Sequence, residues 1–199
     1  GHGLDVVWRH LPEVELVAVA DADEKGRAEA ASRLNVSRAY ADYRQMLDEV
    51  RPDLVSVAPR WLDQHAEMVV AAAERGVHIY MEKPMCRTLA EADQMVAACN
   101  ENNVKLALAH QTRYSPKLPV IRDLIESGAI GEVLELRGRG KEDRRGGGED
   151  LWVLGSHIMN LMHTFAGRPE WCFATVEQEG VPVAAEHVGR GPEGIGLLA

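Results

Sequence analysis

Positive charge is in deficit in this chain. Its 199 residues carry 22 lysines and arginines against 31 aspartates and glutamates, a net charge of −9, with no basic block. That argues against a nucleic-acid partner, which calls for clustered positive charge. Cysteine is scarce as well. Cys86, Cys99 and Cys172 stand far apart, with no C-x-x-C and no His/Cys cluster at metal-ligand spacing. That argues against a metal centre and for a reducing, cytoplasmic setting. No run approaches the ~18 apolar residues of a membrane span. No period of 20–50 residues recurs, so a repeat array is excluded. An initiator methionine is also absent. GHGLDVVWRH opens inside a helical pattern and GPEGIGLLA closes as loop, which reads as a fragment cut at both ends and leaves export open.

What is present is alternation of helix and strand. Leu4, Val7, Trp8 and Leu11 recur at helical spacing, and ELVAVA (15–20) is an apolar run ending in Asp21-Ala22-Asp23. Residues 24–34 read as a helix, and Asp42 caps a short one over 42–49. LVSVA (54–58) is a strand stopped by Pro59; residues 62–75 are helical, with Gly76 at the C′ position. VHIYM (77–81) is a strand. Thr88, with Glu91 three residues on, opens a helix reaching Asn102, and VKLALA (104–109) is a further strand. Short continuous apolar strands between helices predict βαβ units and an α/β fold with a Rossmann-type parallel sheet. Beyond residue 113 the texture changes. Residues 117–127 read as a helix closed by Gly128. GEVLELRGRGKED (131–143) reads as a long strand, with Leu134 and Leu136 on one face and Val133, Glu135, Arg137 and Arg139 on the wet one. A helix over 151–166 and a strand near 172–179 complete an incomplete α+β domain with a mostly antiparallel sheet. The predicted boundaries are 1–113 and 114–199.

The most informative stretch is HIYMEKPM (78–85), where an apolar strand ends in Glu82, Lys83 and Pro84. Ligands of open parallel sheets sit beyond the carboxyl ends of strands. Pro84 keeps Lys83 out of the helical region, so its ammonium is held at the cleft. There it can donate to a substrate oxygen and stabilise developing alkoxide charge. On the tripeptide alone, a surface charge pair after a strand is the better reading. Gly1 and Gly3 precede the first helix, and Asp21 stands 20 residues beyond Gly1. A dinucleotide site wants glycine at the phosphate turn and an acid on the ribose at about that distance. Asp21 repels a 2′-phosphate, which favours NAD over NADP. Read without context, it is also an ordinary turn acid.

VELVAVADAD (14–23), DLVSVAPRWLDQH (53–65), GVHIYMEKPM (76–85), QTRYSPKLPVIRDLIESGAIGEV (111–133) and LGSHIMNLMHTFAGRP (154–169) together resemble the glucose–fructose oxidoreductase / inositol dehydrogenase / rhizopine-catabolism (Gfo/Idh/MocA) family. The resemblance covers nearly the whole chain. It implies an NAD(P)-binding Rossmann domain followed by a substrate and oligomerisation domain. It implies an NAD(P)-dependent dehydrogenase acting on CH–OH groups of sugar-like or polyol substrates, and a homo-oligomer in the complete protein. Lys83 would contact both nicotinamide and substrate hydroxyl, and Glu82 the nicotinamide end. Pro59 and His65 would line the cofactor, with Trp61 either stacking on it or starting a helix in the core, and Arg113 near the cleft. His157 would be the general base, with a pKa of about 6.5 when unperturbed. His163 has no family match and is assigned to the surface.

One departure stands out. Many family members carry an aspartate four residues before this histidine, where this chain has Val153. Asp150 is a partial substitute at longer reach, and Asn160 can hydrogen-bond substrate without charge. The departure keeps two further readings open, an NAD-dependent glycoside hydrolase of the same fold and a non-catalytic cofactor-binding paralogue. Arg137, Arg139, Arg144 and Arg145 read either as an anionic-sugar site or as a solvated strand face. The 199 residues by themselves are expected to be inactive.

Overall fold

The computed structural model describes residues 4–59, 62–139, 153–175, 177–178, 180–183, 188–191 and 194–197. The chain divides into two compact units, Gly1–Ala109 and His110–Ala199.

In the first unit, α1 (Leu4–Trp8) leads to β1 (Val19–Ala20), α2 (Glu24–Leu34), β2 (Ala39–Tyr40), α3 (Tyr43–Val50) and β3 (Leu54–Val57). Then come α4 (His65–Ala73), β4 (His78–Met81), α5 (Leu89–Glu101) and β5 (Leu106–Leu108). All strand pairing here is parallel: β1 with β2, and β3-β4-β5 with β4 in the middle. The alternating Rossmann-type α/β architecture is therefore as the apolar runs predicted. Strands are shorter than those runs, because pairing stops where a neighbour ends. ELVAVA pairs only at Val19 and Ala20, and its partner β2, two residues long, carries no run that would reveal it.

Local chemistry sets the helix ends. Asp23 caps α2 by accepting from Gly26 N–H (2.6 Å), and Asp42 caps α3 by accepting from Arg44 N–H (2.8 Å). Thr88 Oγ1 accepts from Glu91 N–H at 3.2 Å. The Glu91 carboxylate reaches back one residue further than an ideal capping box, to Arg87 N–H (2.8 Å) and the Arg87 guanidinium. Past α4, Gly76 N–H donates to Ala73 O (2.9 Å) and Val77 N–H to Ala72 O (3.1 Å), with Gly76 at φ 71°. That paired closure needs a left-handed residue, which glycine adopts without a Cβ penalty. It turns the chain straight into β4. The core under the sheet is formed by Leu47, Val57, Val69, Ile79, Met81 and Met95, all nearly inaccessible.

In the second unit, α6 (Lys117–Glu126) ends before Gly128 at φ 72°. α7 spans Gly155–Ala166, and β6 (Glu177–Gln178) pairs antiparallel with β7 (Val181–Pro182). A second antiparallel pair joins β8 (Val188–Gly191) to β9 (Gly194–Leu197). The long strand expected over 131–143 is not formed in its described part: residues 131–139 have no strand pairing. Leu134, expected on a covered face, is 87% exposed. Alternation sorts residues into two faces only where a sheet exists to cover one of them. Instead the stretch runs past α7, where Gly138 lies so close that a Cβ would sit 2.2 Å from Ile158 Cγ2. The strand expected near 172–179 begins only at Glu177.

Candidate active site

The parallel sheet of the first unit presents the carboxyl ends of β3 and β4 side by side. Glu82 N–H donates to Val57 O (2.9 Å), extending that register by one residue into the loop. Glu82 is buried, at 7% exposure, and its carboxylate accepts from Lys83 N–H at 3.1 Å. A buried carboxylate is tolerable only when hydrogen-bonded, so Glu82 organises the backbone that carries Lys83. The Lys83–Pro84 peptide is cis, and Lys83 is half-buried.

His65 ties this loop to its neighbour. The imidazole is 1% exposed, with Nδ1 3.2 Å from Met85 O and Nε2 3.3 Å from Pro59 O. Its two nitrogens face carbonyls of the loop after β3 and of the loop after β4, and a neutral ring donates to one of them at a time. Pro59, singled out in the sequence, takes part through its carbonyl. The Met85 carbonyl had no sequence signal beyond following the Glu-Lys-Pro element. Cys86, next along, has its thiol pKa pushed up by desolvation and by the Glu91 charge.

Asp21 lies just past β1, exposed, and its N–H donates to Tyr40 O at 3.0 Å. Its Oδ1 accepts from Asp23 N–H (2.9 Å), and its backbone oxygen accepts from Arg27 Nη1 (2.7 Å). A Cβ on Gly26 would sit 2.9 Å from Asp23 Oδ2 and 3.1 Å from Asp21 Oδ2. Glycine at 26 therefore lets two carboxylates close over the start of α2. Such a pair suits the hydroxyls of a ribose and opposes a phosphate.

The second unit holds the other predicted group. His157 sits in the first turns of α7, and its Nδ1 is 3.3 Å from Thr112 Oγ1. His110 meets it edge-to-face, with ring centroids 5.5 Å apart and an interplanar angle of 81°. His110 and Thr112 were not predicted as site residues. Their only signal was their place immediately after the last parallel strand. Asn160, one helical turn beyond His157, has a buried Oδ1 with no hydrogen-bond partner among the described residues. His163 is exposed. Arg113 is exposed in the short 3₁₀ turn Gln111–Tyr114. Val153 precedes α7, its carbonyl accepting from Ser156 Oγ at 3.0 Å. Arg137 pairs with Glu135 at 2.9 Å. Gly1, Trp61 and Asp150, with Gly3, Arg144 and Arg145, lie outside the described residues. Among the described residues no metal-binding group of three or more ligands occurs, and no helix is long and apolar enough to cross a membrane.

Known proteins resemble this chain. Levoglucosan dehydrogenase of Pseudarthrobacter phenanthrenivorans is 36% identical over 126 residues, 63% of this chain and 32% of that protein. D-apiose dehydrogenase of Paraburkholderia graminis is 34% identical over 124 residues, 62% of this chain and 33% of that protein. The crystal structure of an NAD binding oxidoreductase from Klebsiella pneumoniae superposes with a TM-score of 0.62 at 25% identity, covering 82% of this chain and 47% of that one. The chain thus spans a third of the two curated relatives and just under half of the solved one. Residues 4–110, more than half of the chain, match a family described as an oxidoreductase family with an NAD-binding Rossmann fold, and the chain belongs to that family.

Proposed function

We propose that the protein is an NAD-dependent dehydrogenase acting on a secondary alcohol of a sugar-like or polyol substrate. The observation that carries this reading is the rigid presentation of Lys83 beyond the carboxyl end of β4, the middle strand of the parallel sheet, by buried Glu82 and the His65 clamp. The curated relatives, named for levoglucosan and D-apiose, support a carbohydrate substrate.

Asp21 would hold the adenosine ribose, with Gly26 keeping its surroundings open, and Pro59, His65, Glu82 and Arg113 would line the cofactor. When bound, NAD supplies the hydride acceptor. The Lys83 ammonium donates a hydrogen bond to the substrate oxygen and stabilises its developing negative charge. His157 takes the hydroxyl proton through Nε2, and Asn160 offers an amide to a neighbouring hydroxyl. In this reading residues 1–113 bind the cofactor and residues 114–199 bind substrate. The exposed Leu134, Trp171 and Phe173 support a homo-oligomeric assembly through the second unit. The free thiols of Cys86, Cys99 and Cys172 suit a cytoplasmic location.

The test is a panel of sugars and polyols assayed for NADH formation with the complete protein and with its Lys83→Met variant. Removing the ammonium should abolish turnover while far-UV circular dichroism stays unchanged. An equally active Lys83→Met protein would refute the role. Release of a chromogenic aglycone without net NADH would favour the glycosidase reading instead.

A further inference from the structure

A histidine that removes a proton must present an unprotonated nitrogen to the substrate, and something must hold it in that tautomer. In imidazole bases this is done by a partner on the opposite ring nitrogen, commonly a carboxylate. Val153 can supply no such partner from its side chain. The second unit offers another. Thr112 Oγ1 lies 3.3 Å from His157 Nδ1, and the two residues stand 45 apart in sequence within the second unit. His110 closes edge-to-face on the same ring at 5.5 Å, restricting its rotation. His110, Thr112 and His157 are all half-buried, so these contacts are only partly exposed to competing water.

We propose that Thr112 is the positioning residue of His157: its hydroxyl oxygen accepts the Nδ1–H, which leaves the Nε2 lone pair for the substrate proton, while His110 fixes the ring plane. The inference rests on the dehydrogenase reading for its purpose, but not for its geometry.

The experiment uses the complete protein with ¹⁵N-labelled histidine, as parent, Thr112→Val and Thr112→Ser. Two-bond ¹H–¹⁵N correlation spectra above the histidine titration read the tautomer of His157 directly. The parent and Thr112→Ser should show the Nδ1–H form; Thr112→Val should revert to Nε2–H, the form that free imidazole prefers. In turnover with NAD and the best substrate of the panel, Thr112→Val should lower kcat by about tenfold or more with KM little changed, and Thr112→Ser should restore it. An unchanged tautomer in Thr112→Val, or a serine variant that behaves like valine, overturns the proposal. A tautomer that switches with no change in turnover upholds the positioning and removes His157 from the chemistry.

Discussion

Replacing His65 by phenylalanine tests how the first unit holds its two ligand-facing loops. The substitution keeps a planar ring in a space that is 1% exposed but removes both nitrogens. The wild-type ring faces two carbonyl oxygens, Met85 O at 3.2 Å and Pro59 O at 3.3 Å. A neutral imidazole donates to one of them at a time, so the variant loses one donated bond and leaves a buried carbonyl without it. That costs about 1–3 kcal/mol. A loss of about 2 kcal/mol lowers the melting temperature of a chain this size by roughly 4–8 °C. Charged to the loops alone, it shifts their closed-to-open ratio roughly 30-fold. Scanning calorimetry reads the first quantity, and amide hydrogen exchange over residues 82–88 reads the second. Affinity for NAD should fall in parallel, because Lys83 and Glu82 ride on the released loop. A His65→Phe protein that melts within about 1 °C of the parent, with unchanged exchange at 82–88, would show that the ring is only filler.

Two further outcomes follow from charges already placed. Asp21→Ser removes a carboxylate from the ribose end of the cofactor. Two unit charges about 5 Å apart cost ~1 kcal/mol even at the dielectric of water, and a 2′-phosphate carries nearly two, so the NADP-to-NAD affinity ratio should rise roughly 10- to 30-fold. Equilibrium titration of both nucleotides measures it, and an unmoved ratio refutes the assignment. Glu91, which caps α5, has its carboxyl pKa lowered in the folded protein by the hydrogen bond and charge of Arg87 and by the Arg87 backbone N–H. Its contribution to stability is therefore complete above the unfolded value of about 4.3 and is lost as pH falls through the lowered folded value. Glu91→Gln should melt lower than the parent at pH 7, and the two melting curves should converge below pH 4, as thermal scans across that range would show.

The first unit was legible because its signals are local. A buried parallel strand is a continuous apolar run whatever its partners, and Asp42, Thr88 and Gly76 act on bonds within five residues of themselves. The place of Lys83 just beyond a strand end was legible for the same reason: strand, acid, base and proline are contiguous. The carbonyls that face His65 were not legible, since they lie 6 and 20 residues away and are backbone groups, which every residue has. β2 was invisible because two residues make no pattern.

The second unit shows what local signals cannot carry. Residues 131–139 have the alternation of a half-wet strand, yet they pair with nothing among the described residues, and Leu134 faces water. Period two states which residues would share a face; whether a face exists depends on strands that hydrogen-bond from elsewhere in the chain. The same reasoning applies to His157. The family resemblance pointed to the position four residues back, and found Val153 where an aspartate is usual. The group that meets Nδ1 comes from 45 residues away, on a short turn after the last parallel strand. An orienting hydroxyl needs neither a motif nor a fixed spacing, only a backbone that delivers it within about 3 Å. With valine at the position where the resemblance leads one to expect aspartate, the proposed support of the imidazole comes from the Thr112 hydroxyl instead.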